Sequence, residues 1–231
     1  MQAESIRMAE PQFRINHSIP IPVIKPLGKN DIKKKKKRED LMNSAYGLFT
    51  TIGYSHTTIL SIAVKAGVGK GTFYNYFKDK EDIRNQLILS RATSLLNNAV
   101  AQLQETPELP NMTFSDKIVF ITNYIIDAFT EDTDLLKLIS KSLTWSLLRD
   151  QGKMSEHGSE ISLTSFVAEA LKNEHVRMKN PDLTIFTLLE MANSTCYSVI
   201  LNKEPVDIEH FKPYLYRNIK LLTEDALEPE D

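Results

Sequence analysis

Apolar residues recur at intervals of three and four along most of the chain from Leu41 to Leu222, and this spacing restricts the fold more than any other property of the sequence. Positions i, i+3, i+4 and i+7 share one face of a helix, whereas a half-buried strand needs strict alternation. Leu41, Ala45, Leu48, Phe49 and Ile52 form the first stripe, and Gly53 closes it as a glycine does just past a helix end. Ile59, Ile62, Ala63 and Ala66 form a second, behind Thr57 and Thr58, either of which suits an N-cap. Gly67 breaks it, and Phe73, Tyr76 and Phe77 begin a third, very short one. Asp79 then caps a long stripe through Ile83, Leu87, Leu95 and Val100 that Pro107 ends.

Downstream the same spacing predicts helices at about 114–129 (Ile118, Ile121, Ile125, Phe129), 133–149 (Leu135, Leu138, Ile139, Leu143, Leu147) and 160–175 (Leu163, Phe166, Val167, Ala170, Leu171). Another starts at Asn180 with Pro181 in its first turn and runs to about Leu201, and a last one ends near Leu222, leaving an acidic, frayed tail. With 8 glycines and 10 prolines in 231 residues, turns are too sparse for a strand-rich fold, and 42% hydrophobic content supplies a core. The fold class is therefore all-α. The expected division is a flexible arm over residues 1–30, a helix-turn-helix domain over 31–78 and a helical regulatory and dimerisation domain over 79–225.

The overall charge of -2 hides a segregation. Residues 29–91 hold 13 Lys/Arg against 6 Asp/Glu, while residues 92–231 hold 12 against 22. A basic head on an acidic body implies a polyanionic partner for the head alone. Ahead of the head, Pro11, Pro20, Pro22 and Pro26 mark extended chain, followed by the run Lys33, Lys34, Lys35, Lys36 and Lys37. As a mobile basic leader before the first helix, these five lysines would reach the DNA backbone without reading sequence.

Between Ile59 and Tyr76 lies the internal logic of a helix-turn-helix: a small residue, Ala63, at the close approach, Gly67 at the turn, and Val68 with Phe73 plugging the angle between two helices. The second helix of such a motif enters the major groove, so its outward residues Lys70, Gly71, Thr72, Tyr74 and Asn75 would meet base edges and phosphates. The stretch "TTILSIAVKAGVGKGTFYNYFKDKEDI", with "SAYGLFTTIGY" before it, resembles the head of the TetR family of bacterial regulators over about residues 35–90, with the recognition motif at 58–77. That resemblance implies that Thr58, Thr72, Tyr76 and Lys80 hold phosphates, that Lys70, Tyr74 and Asn75 face bases, and that two copies bind a near-palindromic operator on double-stranded DNA.

Other chemistries find no support. Val64 and Gly71 stand where a phosphate loop around Gly69-Lys70 needs Gly and Ser/Thr. No two of the five histidines are three or four apart, and no carboxylate has a partnered nucleophile, so neither a metal, a cofactor nor an enzyme is expected. One cysteine, Cys196, makes no internal disulfide, which fits a reducing cytoplasm, and no membrane span is expected.

Two expectations concern the body. Asn123, Asp127, Ser142 and Trp145 are polar or aromatic markers of a cavity for a small lipophilic effector whose binding would release the operator. Phe186, Leu189, Ala192, Cys196, Val199, Phe211, Leu215 and Ile219, on the last two helices, would join a homodimer as a four-helix bundle. The alternative reading is a ligand-independent architectural or adaptor protein sharing the same head.

Overall fold

The computed structural model describes residues 28–140, 143 and 176–228. Among them run eight α-helices, which we number α1 (Lys29–Thr51), α2 (Ile59–Lys65), α3 (Lys70–Tyr74), α4 (Lys80–Gln104), α5 (Phe114–Glu131), α6 (Thr133–Ser140), α7 (Pro181–Asn202) and α8 (Ile208–Ala226). The helix expected at 160–175, and Ser142 and Trp145, lie outside the described residues.

Helices α1–α3 and the start of α4 enclose one core, built from Leu41, Ala45, Phe49, Ile62, Phe73, Phe77, Ile83 and Leu87. The breaks between them fall where the backbone must turn left-handed: Gly53 has φ 83° and Gly67 φ 68°, a conformation that a Cβ disfavours. One expectation is corrected here. Lys33–Lys37 do not form a loose leader but belong to α1, which begins at Lys29 just after Gly28. Once Leu41 and its neighbours have fixed a turn, each added residue gains a backbone hydrogen bond, and lysine is a good helix former, so the helix extends back through the run.

Helix α4 links head to body, its Ile83 and Leu87 in the head core and its Leu95 packed with Phe129, Leu136 and Ile139. Its start is capped by Asp79, which accepts from the Asp82 N–H, and α5 starts with a reciprocal box between Thr113 and Asp116. A further cluster of Ile126, Cys196, Leu215 and Ile219 joins α5, α7 and α8. Beyond the expected end at Leu222, α8 continues to Ala226, and Leu227 forms an antiparallel bridge with Met178. The Lys179 N–H donates to Ala226 O and the Glu228 N–H to Arg177 O, so this part of the acidic tail is pinned to the start of α7 rather than frayed.

Among the described residues, α7 is the one helix long and apolar enough by composition to cross a membrane. Its Cys196 and Val199 are instead buried within the body, and Glu190 lies on its exposed side.

Candidate nucleic-acid interface and effector cavity

Helix α3 is five residues long and held from behind by one side chain, Phe73, which is fully buried. With Phe73 facing inward, Lys70, Gly71, Tyr74 and Asn75 are exposed, and Thr72 and Tyr76 are half-buried at the edge. The structure thus brings six of the expected DNA-facing residues onto and beside one short helix. A Cβ added at Gly71 would meet no atom within 4 Å, so the head's own packing does not require glycine there.

Thr58 and Lys80 have other partners. Thr58 caps α2: its Oγ1 accepts from the Ser61 N–H at 3.0 Å while Ser61 Oγ accepts from the Thr58 N–H at 3.0 Å. Lys80 Nζ donates to Tyr54 O and Thr57 O, both at 2.9 Å, and sits 4.3 Å from the Tyr54 ring centroid. The expectation that Lys80 serves phosphates is corrected accordingly: it clips the α1–α2 connection to the start of α4.

A cavity of about 220 Å³ opens among α4, α5, α6 and α7. Its wall is nearly all apolar, with Ile118, Ile121 and Ile125 from α5, Leu96 from α4, Ile139 from α6 and Ile185 and Leu189 from α7. Among the described residues Thr93, Asn97, Thr122, Glu190 and Asn193 are its polar members, and Asn193 Nδ2 donates to Ser140 O at 3.1 Å, tying α7 to the end of α6. Cys196 lines it too, its thiol pushed up to about 11 by burial.

Of the marker residues expected from sequence, the two that are described, Asn123 and Asp127, are not part of that wall. Asn123 and Asp127 lie on the other face of α5, where Asn123 Oδ1 accepts from Tyr216 Oη and Asp127 Oδ1 accepts from Lys212 Nζ at 2.8 Å. Spaced by one helical turn and bonded to each other, they form a polar strip against α8. The polar lining was hidden in sequence because Thr93, Asn97 and Asn193 look like ordinary solvent-facing residues of amphipathic helices.

The expected dimer residues also divide. Cys196 and Val199 are 2% exposed and Leu215 and Ile219 1%, so all four belong to this chain's own core. Phe211 packs on the same cluster, while Phe186, Leu189 and Ala192 line the cavity. Among the large apolar side chains that α7 and α8 leave in solvent, Leu183 (65%), Tyr214 (66%) and Leu221 (55%) were not among those expected, and Phe186 at 40% was.

Head and body meet at a polar joint. Tyr46 Oη on α1 donates to Asp132 Oδ2 at 3.0 Å, and Asp132 Oδ1 accepts from the N–H groups of Asp134 and Leu135, where α6 begins. Arg91 on α4 lies 4.9 Å from the Tyr46 ring centroid and donates to Asn43 Oδ1 at 3.1 Å. Burial, followed by the bond to Asp132, raises the Tyr46 phenol to about 12, so it is a neutral donor at ordinary pH. On α6, Leu138 packs on the head core while the next residue, Ile139, faces the cavity.

Residues 41–87 match the family described as bacterial regulatory proteins, tetR family. Over 175 residues, 75% of this chain and 89% of the relative, the sequence is 23% identical to an uncharacterized HTH-type transcriptional regulator, YhgD, of Bacillus subtilis (strain 168). The fold is that of FadR of Thermus thermophilus, a TetR-family transcriptional repressor solved in complex with lauroyl-CoA, at 21% identity and a TM-score of 0.56 over 84% of this chain and 97% of that one. It is also that of the transcriptional regulator FadR of Bacillus subtilis in complex with stearoyl-CoA, at 17% identity and a TM-score of 0.54 over 80% and 97%.

Proposed function

We propose that the chain, whose residues 41–87 match the tetR family of bacterial regulatory proteins, is a DNA-binding transcriptional regulator, a homodimeric repressor released from a near-palindromic operator by a small lipophilic effector. The exposed face of α3 carries the DNA part of this reading. Lys70 can donate to guanine and Asn75 can both donate to and accept from adenine in the major groove, while Thr72 and Tyr76, half-buried at the edge of the helix, would offer hydroxyls to flanking phosphates. A glycine inside a helix costs about 0.5–1 kcal/mol relative to alanine, and Gly71 answers no need of the head itself. Close approach of a DNA backbone supplies the missing reason.

The effector part is supported by the cavity, whose apolar wall suits an alkyl chain, and by the two FadR structures that hold acyl-CoA thioesters. A constitutive adaptor has no use for such a cavity. Two copies of the chain are proposed to meet through the outward faces of α7 and α8, around Leu183, Tyr214 and Leu221.

Selection of bound duplexes from a random pool tests the first part: the expected product is an inverted repeat with half-sites about one helical turn apart, or a multiple of it. Lauroyl-CoA, stearoyl-CoA and the corresponding free fatty acids are then titrated into the complex. Release of the duplex together with a raised Tm of the free protein is the expected result. An asymmetric site would overturn the dimeric operator, and a Tm unmoved by all four probes would overturn the lipophilic effector.

A further inference from the structure

The contacts between α1 and α4 fix where the lysine run sits. Arg38 Nη2 donates to Gln86 Oε1 at 2.6 Å and Arg91 Nη2 to Asn43 Oδ1 at 3.1 Å, and the two pairs share an offset of 48 residues. A constant offset means the two helices run side by side in the same direction. Followed back along α1, it sets Lys33 level with Glu81 in the first turn of α4, so that Lys29 lies nearly a turn beyond the start of that helix. Arg38 also lies 5.8 Å from the Phe77 ring centroid, which ties α1 to the loop between α3 and α4. The basic end of α1 therefore projects past the start of α4, which the short loop bearing Tyr76 joins to α3.

Leu41 is the first buried residue of α1, and Lys29 to Lys37 are all exposed. None of the six lysines in that stretch makes a hydrogen bond or ion pair with a described residue. A helix distributes them by azimuth, about 100° per residue. Lys34 and Lys35 share the side of Arg38, Leu41 and Ala45, which turns towards α4 and its acidic first turn of Glu81 and Asp82. Lys29, Lys33 and Lys36 form a stripe on the other side, with Lys37 at its edge, at axial steps of about 4.5–6 Å.

We propose that the Lys29–Lys33–Lys36 stripe is a second DNA-binding surface that holds the phosphate backbone beside the major-groove site, whatever the sequence there. The proposal rests on the reading of α3 as a recognition helix and adds a partner surface to it. The positive charge, unpaired with any described residue, is complementary to a polyphosphate, and its place past the start of α4, one short loop from α3, offers it to the same duplex. Because the run is helical, its lysines are not equivalent: one stripe meets the phosphates while Lys34 and Lys35 lie on the side of α1 that packs on α4. Each phosphate neutralised adds about 0.9 to the slope of log affinity against log salt.

The test compares full-length protein with Lys33→Ala/Lys36→Ala and Lys34→Ala/Lys35→Ala, each titrated with the selected operator and a scrambled duplex over a salt series. The stripe pair is expected to lose close to two units of slope on both duplexes, with the operator-to-scrambled ratio unchanged, and the other pair to keep the wild-type slope. Equal losses in both pairs would overturn the stripe and return the run to a diffuse leader, and no loss in either would overturn the surface itself. Wild-type protein that binds neither duplex would instead refute the DNA reading on which the proposal rests.

Discussion

A lysine ammonium has three N–H groups, and Lys80 gives two of them to the carbonyls of Tyr54 and Thr57. Hydrogen bonds from a charged donor contribute about 1.5–3 kcal/mol when their acceptors are otherwise left without partners, and solvent screening of this half-exposed group brings that down. Lys80→Met is therefore expected to destabilise the head by about 1–2 kcal/mol, seen as a lower urea midpoint by circular dichroism, with the salt slope of DNA binding unchanged. The opposite pattern, an unmoved midpoint and a slope reduced by about one unit, would restore Lys80 to the phosphates. Its acceptors are main-chain oxygens 23 and 26 residues away, which no pattern of side chains announces. Gly53, Gly67 and Phe73 were legible because their constraint is local: two left-handed turns and one plug between adjacent helices.

Helix existence follows from periodicity, but the azimuth of a helix does not. One residue is a rotation of about 100°, and on α8 that separates Leu215, deep in the core, from Tyr214 in solvent. Sequence assigned Leu215, Ile219, Cys196 and Val199 to a partner copy because a stripe that packs on the same chain reads the same as one that packs on another. The polar pair Asn123 and Asp127 misled for a related reason, since a polar residue on an amphipathic helix looks alike whether it meets a ligand or a neighbouring helix. Tyr214→Arg with Leu221→Arg is expected to give a monomer in sedimentation with full helical content. Leu215→Arg, which buries an unpaired charge, is expected to unfold the body instead. A double variant that still sediments as a dimer would place the interface off these faces.

At the scale of the whole molecule the proposed repressor would hold the cavity and the DNA-binding face in one equilibrium, and linkage would make their coupling reciprocal. Cys196 is the chain's one cysteine and lines the cavity, which makes it a reporter that needs no knowledge of the effector. Its thiol is raised from 9.0 to about 11, so the thiolate available at pH 8 falls about 100-fold, and modification by a disulfide reagent should be slower than in urea by at least about that factor. Saturation with operator DNA is expected to change the native rate by about 5-fold or more, the low end of ordinary allosteric coupling. A rate indifferent to bound operator would mean that cavity and head do not communicate.

The Asp132 carboxylate has two oxygens with two duties, one starting α6 and the other holding Tyr46 of the head. It works as a universal joint would: α6 cannot tilt or slide without either dragging α1 along or letting go of the phenol. Which of the two happens decides whether a molecule wedged beside Ile139 steers the reading head or merely loosens it.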